Sequence, residues 1–424
     1  MVRFTQEMLI AGGGIGGMAA ALACTRAGWR ARVFEAAPTF EEIGAGVQLG
    51  PNATRLLRAW GLAEALAEVA FTPEHLSVRS ADSGRELACA RLGTSIEQRY
   101  GAPYRCVHRA DLHRLLHTAV AGEAEAVVST ARRAADVSLA GDAVQLRLVD
   151  GASRAGPPVK AGELRAAGAS AAASFDVEGD ALLGADGLWS RIRSDVLVHD
   201  VVPRATGHRA FRCLVRQASL PLALRVPDVC VWLGSGMHAV SYPVRGGEWT
   251  NLVVLVEAAR ARPLWQPGEA DAWNLRDTSG LLDEALRGAC TTLRDLAGAA
   301  GEWRSWELFD RAPLTSPAQM ASGRIALLGD AAHPMLPYLA QGAAMALEDA
   351  DALGRALAMD AGSVVQRLGH YAQSRWQRAA RVQQRSRRNA QIFHATGAVR
   401  WGRDLALAAL GPQLLDVPWL YAGS

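Results

Sequence analysis

Two textures of apolar spacing divide this chain. From Glu7 to Ala36 three short segments follow one another. "EMLIAGG" is an unbroken apolar run ending in glycine, as a buried strand does. "IGGMAAALACTRAG" is Ala-rich and stops at Gly28, as a helix does, and "RARVFEA" is a second strand. Strand, helix and strand in that order make a βαβ unit. In "PNATRLLRAWGLAEAL" the spacing puts Leu56, Leu57 and Trp60 on one helical face, with Asn52 as the expected N-cap, and "RADLHRLLHTAV" is another amphipathic helix. From roughly 200 to 310 the period falls to two, and "VCVWLG", "HAVSYPV" and "TNLVVLVE" indicate antiparallel strands. The βα texture returns at "GRIALLGDAAH", and the tail from about 370 is helical. The pattern predicts pieces of a nucleotide-binding domain flanking an inserted sheet domain.

Composition narrows this picture. A chain of 424 residues exceeds one compact core and implies two domains or more. A net charge of +3 argues for neither nucleic acid nor a membrane surface as partner. Arg375, Arg378, Arg381, Arg385, Arg387 and Arg388 lie near one helical face, which reads as a solvated or domain-packing face. The six cysteines contain no C-x-x-C pair, so neither a disulfide framework nor a zinc site is expected, and a reducing, cytoplasmic location fits. Met8 to Thr25 is uncharged and long enough to cross a membrane, but the glycines from Gly12 to Gly17 suit a turn, so no stable membrane association is expected. Asp150 to Ser174, rich in Ala, Gly and Ser, reads as an elongated hairpin loop or linker.

Three motifs carry candidate chemistry. In Gly12-x-Gly14-x-x-Gly17 the first glycine makes a tight turn, the second admits a pyrophosphate and the third packs helix on strand. Ile15 opens the helix, whose N-terminus faces the phosphates, and Glu35, closing the second strand, can accept from a ribose hydroxyl. In "LLGADGLWSRIR" a strand runs into Asp186-Gly187, with Ser190 and Arg193 beyond. In "RIALLGDAAH" a strand delivers Gly329 and Asp330 at its C-terminal end, where open α/β sheets bind ligands. Asp330 and His333 have no further ligand at metal spacing nearby, so no metal is expected there and His333 is expected to be structural.

Together these motifs, in this order, resemble the single-component FAD-dependent aromatic hydroxylases, flavoprotein monooxygenases of the para-hydroxybenzoate hydroxylase fold. The resemblance covers nearly the whole chain. "GAGVQLGPNATRLLRAWGL", "RADLHRLL", "HAVSYPVRGG", "WELFDRAPL" and "PWLYAGS" are similar to a subgroup that contains salicylate 1-hydroxylase, 3-hydroxybenzoate 6-hydroxylase and 6-hydroxynicotinate 3-monooxygenase.

The resemblance implies an α/β (α+β overall) architecture: a discontinuous Rossmann-like FAD-binding domain over 1–78, 104–199 and 318–369. The inserted, mainly antiparallel substrate sheet would span 79–103 and 200–317, with a C-terminal helical segment over 370–424. It further implies that Gln48 and Arg109 contact the FAD linker region, Asp186 lies near the pyrophosphate and Asp330 takes a ribityl hydroxyl. The backbone after Pro337 would approach the flavin. The helix starting near Gln341, with Gly342 and small Ala343, would aim its positive end at the ring. His238 and Tyr242 match the subgroup's active-site pair, and at spacing two with Val240 they share a strand face. A histidine suits deprotonation of a phenol. Arg212 is a candidate cation for a substrate carboxylate. Pro337 stands where a relative carries a polar, substrate-contacting residue, so specificity for 3-hydroxybenzoate does not carry over directly.

The implied reaction uses NADH or NADPH to reduce FAD, and O2 to form a flavin C4a-hydroperoxide that hydroxylates a small aromatic hydroxy acid. Monomer and homodimer are both open. A flavin-dependent halogenase is a competing reading, but its Trp-x-Trp-x-x-Pro segment is missing from the sequence. A non-catalytic FAD-fold binding protein is another, and retention of Asp330, Pro337 and Gly342 opposes it.

Overall fold

The glycines after Ala11 turn the chain sharply from strand to helix, and the first sheet is built outward from that turn. The computed structural model describes residues 6–40, 45–151, 174–196, 202–258, 275–276 and 280–423. Glu7–Ala11 is a strand, Ile15–Arg26 a helix, and Arg30–Phe34 a second strand parallel to the first. The uncharged run from Met8 is therefore strand plus helix. Among the described residues no helix is long and apolar enough to cross a membrane.

Among these residues the first sheet has six strands, in the order Ala321–Ser322, Ile325–Leu327, Ala181–Gly184, Glu7–Ala11, Arg30–Phe34 and Ala126–Ser129. All neighbours are parallel except the short edge strand Ala321–Ser322. Strands covered on both faces must be apolar throughout, and Ala181–Gly184 and Ile325–Leu327 are buried at every position. The three motif-bearing strands are neighbours, so Gly12, Asp186 and Asp330 emerge side by side at one edge.

The second sheet has eight described strands. Its middle is antiparallel: Arg204–Arg216, Trp249–Glu257 and Met237–Val244. Val229–Leu233 continues it and pairs in parallel with His75–Ser80. The expected boundary at 78 falls inside His75–Ser80, which lies wholly in this sheet. One face, including Phe211, Trp232 and Leu252, packs on the helices Leu281–Leu286 and Thr291–Gly298. The other face turns toward Leu336, Tyr338 and Ala390. A third sheet pairs Ala143–Asp150 with Arg132–Ala140 and Ser174–Gly179, and the expected loop between Asp150 and Ser174 lies almost wholly outside the described residues.

The tail begins earlier than 370, because Val364–Phe393 is one helix of 30 residues. Of its arginines, Arg381 and Arg388 are exposed, while Arg375, Arg378 and Arg387 pack inward, as a domain-packing face does. Arg375 is fully buried, with Nη1 2.9 Å from Glu348 and Nε 2.8 Å from Asp349. Arg378 reaches Glu348 at 2.5 Å, Arg387 reaches Asp310 at 2.6 Å, and Arg381 lies 4.0 Å over the Trp419 ring. Asn52 is not the helix cap expected from its position. Gly50 is the N-cap, Pro51 starts the helix Pro51–Ala59, and buried Asn52 donates to Gln341 (3.0 Å) and Glu348 (2.8 Å).

His333 is held in the interior: Nε2 lies 2.6 Å from Asp349, whose Oδ2 also accepts from Gly329 N at 3.0 Å. Burial alone would raise the Asp349 pKa, but the charges of His333 and Arg375 and their hydrogen bonds hold it at about 2. Its folded pKa lies below the unfolded value of about 3.9, so its contribution is whole above about pH 4 and fades as pH falls toward 2. Asp349→Asn is expected to unfold more easily than the wild type at pH 7, yet to lose less stability between pH 4 and 2. Urea midpoints by circular dichroism would check this. An unchanged slope in the variant would refute it.

Candidate active site

The glycine turn leaves a cradle. Gly12 has φ +106°, and a Cβ there would lie 2.3 Å from the Ala185 carbonyl oxygen. A Cβ at Gly17 would sit 1.9 Å from the Gly12 oxygen, so helix and strand approach as only glycine permits. At Gly14 a Cβ would meet nothing within 4 Å: the space in front of the helix is open. The helix Ile15–Arg26 has neither a side-chain cap nor an acidic residue in its first turn, so its first amides remain for an anion. Glu35 is oriented by Gly13 N (2.7 Å) and Ala37 N (2.8 Å), one on each oxygen, which leaves each oxygen a lone pair.

The other two motifs brace this edge. Asp186 Oδ2 accepts from Arg191 N (2.7 Å) and Ile192 N (3.2 Å), while its buried Oδ1 has no partner. Arg193 clamps the third motif, donating to the carbonyls of Ala331 (3.0 Å) and Ala332 (2.6 Å). Beyond it, the long helix holds three alternate carbonyls. Gln383 donates to Pro334 O (3.0 Å), Ser386 to Leu336 O (2.5 Å) and Asn389 to Tyr338 O (3.1 Å). Pro337 stays exposed at the start of the turn Pro337–Leu339. Ala340 follows in the left-handed region (φ 51°), a constrained conformation for a residue with a Cβ. Gln341 caps the helix Gly342–Leu357, whose first turn, with Gly342 and Ala343, carries no acid and no side-chain cap.

Arg109 and Asp330 lie close enough for each charge to act on the other. Both are exposed, yet both are surrounded closely enough for burial to shift their pKa, Arg109 down and Asp330 up. Exposure together with desolvation marks a side chain inside a concavity. Each partly offsets the other's shift through opposite charge, and neither has a hydrogen-bond partner among the described residues. These features fit a dinucleotide: an open cradle, an uncapped helix start, a free guanidinium and a free carboxylate.

The cleft continues onto the second sheet. Val240 pairs with Val253, and Val253 with Arg212, so the three form one row across three neighbouring strands. All three are half-buried in the middle of an eight-stranded sheet, where a covered row would be closed. The exposure marks open space above them. Arg212 lies 5.0 Å over the Trp306 ring, and burial, then the charges of Arg109 and Arg304, lower its pKa to about 10. The influence of Arg109 ties this floor to the cleft.

His238 and Tyr242 bound the floor on either side, about 13 Å apart along the strand. They share a face but not neighbours. Tyr242 is packed on Gly46, where a Cβ would meet its ring at 2.4 Å, and burial raises its pKa while a hydrogen bond from Gln48 opposes this. Gln48 also accepts from Tyr104 Oη at 2.7 Å. His238 stands among rings: Tyr338 at 4.9 Å, His394 at 5.1 Å and Phe393 at 5.2 Å. Burial, then His394 and His208, push its pKa well below 6.5, so it is neutral at physiological pH.

Sequence reasoning missed His208, Tyr338, Phe393 and His394. Nothing local marks them, because they meet His238 only where the helix end and the Pro337 turn close over the sheet. His208, Glu257 and His394 bring one ligand atom each within 4.8 Å of one another. The surface depression at Ala81, Met237, Ala289 and Arg400 lies on the opposite face of the strand from His238, and Arg400 is already paired with Asp82 at 2.5 Å. All six cysteines are unpaired.

Known proteins match this arrangement. Residues 5–386 match the protein family described as FAD binding domain. The chain is 34% identical over 418 residues to 3-hydroxybenzoate 6-hydroxylase 1 of Aquipseudomonas alcaligenes, covering 98% of this chain and 97% of that one. It is 36% identical over 425 residues to 3-amino-4-hydroxybenzoate 2-monooxygenase PtnB3 of Streptomyces platensis, covering 98% and 95%. In fold it is similar to Klebsiella pneumoniae HpxO complexed with FAD and uric acid, with a TM-score of 0.79, 22% identity, and coverage of 97% and 94%.

Proposed function

The chain belongs to the FAD binding domain family and is a FAD-dependent monooxygenase, and from this premise we propose that it hydroxylates a small aromatic hydroxy acid lying over Val240 and Val253. FAD held there would supply hydride acceptance from NADH or NADPH and the activation of O2 needed to insert one oxygen into the ring. The observation that carries the substrate class is the half-open row ending in Arg212, a desolvated cation without a hydrogen-bond partner among the described residues, flanked by His238.

Each side chain then has a task. Gly12, Gly14 and Gly17, with the amides opened by Ile15, hold the pyrophosphate, and Arg109 adds a charge-assisted bond. Glu35 and Asp330 accept from sugar hydroxyls. The uncapped start of Gly342–Leu357 favours negative charge at the reduced cofactor. Arg212 binds the substrate carboxylate. His238, neutral and buried, accepts the proton of the ring hydroxyl, which raises the electron density of the ring. Tyr242 closes the far end and, with Tyr338 and Leu336, keeps water out.

The test begins with an absorption scan of the purified protein, which should show flavin bands at about 370 and 450 nm. Hydroxybenzoates, aminohydroxybenzoates and hydroxynicotinates are then screened for stimulation of NADH or NADPH oxidation with a hydroxylated product. A yellow protein that none of these acids stimulates would overturn the substrate class. Arg109→Ala is expected to weaken FAD binding by about ten- to a hundredfold, one lost charged hydrogen bond, as read by flavin fluorescence on titration. Arg212→Ala is expected to raise KM for the acid about ten- to a hundredfold with a smaller change in kcat, and Arg212→Lys to recover part of it. An equal loss for an analogue lacking the carboxylate would remove Arg212 from that role.

A further inference from the structure

His238 is 1% exposed. A base buried this deeply cannot pass its proton to bulk water directly. Among the described residues, its ring has a hydrogen-bond partner in Nε2 of His394, 2.9 Å from His238 Nδ1. His394 is itself 3% exposed, and its buried Nδ1 has no hydrogen-bond partner. That nitrogen lies 3.5 Å from Glu257, whose side chain is 49% exposed. One line of groups thus runs from the buried base to solvent.

The backbone fixes this line. His394 caps the helix Val364–Phe393. Its carbonyl accepts from Gly236 N (3.1 Å), and Gly236 O accepts from Glu257 N (2.9 Å). One residue therefore ties the helix end to the strand end, beside the strand that carries His238.

We infer that His394 and Glu257 form a proton relay that drains His238, acting through it as positioning residues rather than on the substrate. The inference rests on the reading of His238 as the base. The substrate O–H bond breaks as an N–H bond forms at His238 Nε2. The Nδ1 proton of His238 passes to His394 Nε2, and the Nδ1 proton of His394 passes to Glu257, which exchanges it with water. No electrons change owner, and the products are a phenolate on the ring and a proton in solvent. Neither histidine can store the charge. Burial, then the neighbouring charges of His208 and Arg403, hold His394 at about 3, and His238 also lies well below its usual value. His208 stacks on His394 at 5.0 Å and is hydrogen-bonded to Tyr338 Oη, so the groups around the relay are His208, Tyr338, Arg403 and Glu257.

The test uses the FAD-loaded enzyme and 3-hydroxy-4-nitrobenzoate, whose phenolate absorbs in the visible, at a concentration that saturates its effect on the flavin spectrum. Stopped-flow absorbance reads phenolate formation without any turnover. Glu257→Gln and His394→Gln are expected to slow this step by about tenfold or more, with flavin content and ligand affinity unchanged. The Glu257→Gln rate should become dependent on buffer concentration, as free base replaces the carboxylate, and should show a larger solvent deuterium isotope effect. A merely structural role would move neither readout. If both variants ionise the ligand at the wild-type rate while His238→Asn is slow, the relay is wrong and the base stands. If His238→Asn is also as fast as wild type, the base reading fails with it.

Discussion

Arg375→Ala is expected to lower the free energy of unfolding by about 3–5 kcal/mol, the cost of leaving buried charge uncompensated. The substitution strands Glu348 and Asp349, both almost fully buried, and removes a large side chain from a closed site. Arg378 still reaches Glu348, but the remaining protein partners of Asp349 are His333 and the Gly329 amide. Loss should therefore spread to the third motif, and FAD should come off before the rest of the chain melts. Thermal melts followed by circular dichroism and by flavin fluorescence would separate the two events. A drop under about 1 kcal/mol would mean that the pair is no more than a surface ion pair in effect. Arg375→Met, similar in length but uncharged, is expected to fare no better, because the acids remain.

His238→Ala is expected to slow hydroxylation by about a hundred- to ten-thousandfold, the usual contribution of a positioned base. Flavin absorbance should be retained, since no cofactor-binding group touches this ring. His238→Asn tests the same step without opening a cavity. Reduction of the flavin should survive in both, so NADH consumption would run uncoupled from product. The acid limb also has a sign. With its folded pKa well below 6.5, His238 stays neutral from pH 7 down past that value, so the wild-type rate should hold to the acid side of it and fall only as the ring protonates. Retention of the wild-type rate and profile in His238→Asn would exclude the base assignment.

Much of the site was legible because it is local. A turn needing φ +106° at Gly12 and a Cβ-free contact at Gly17 leave their mark in neighbouring letters. The three motifs sit at strand ends whose parallel order follows from apolar runs, and His238, Val240 and Tyr242 follow from period two. Asn52 shows the limit. Its type and place before an apolar stripe fit a cap, but Pro51 takes the first helical position, and the Asn52 side chain bonds inward to Gln341 and Glu348, 289 and 296 residues away. No local rule weighs such a partner.

The arginine-rich tail makes the same point. A solvated face and a packing face share one spacing, and only the opposing carboxylates of Glu348, Asp349 and Asp310 decide between them. What the sequence alone determined is therefore the family, the glycine turn and the strand that carries His238 and Tyr242, because each depends on residues adjacent in the chain or repeating at a fixed period. Tertiary structure alone decided that His238 lies buried against His394 with Glu257 beyond, and that Arg212 opens onto the row of Val240 and Val253. Burial and electrostatics act through space, and the groups that set them arrive from strands and a helix end more than a hundred residues apart.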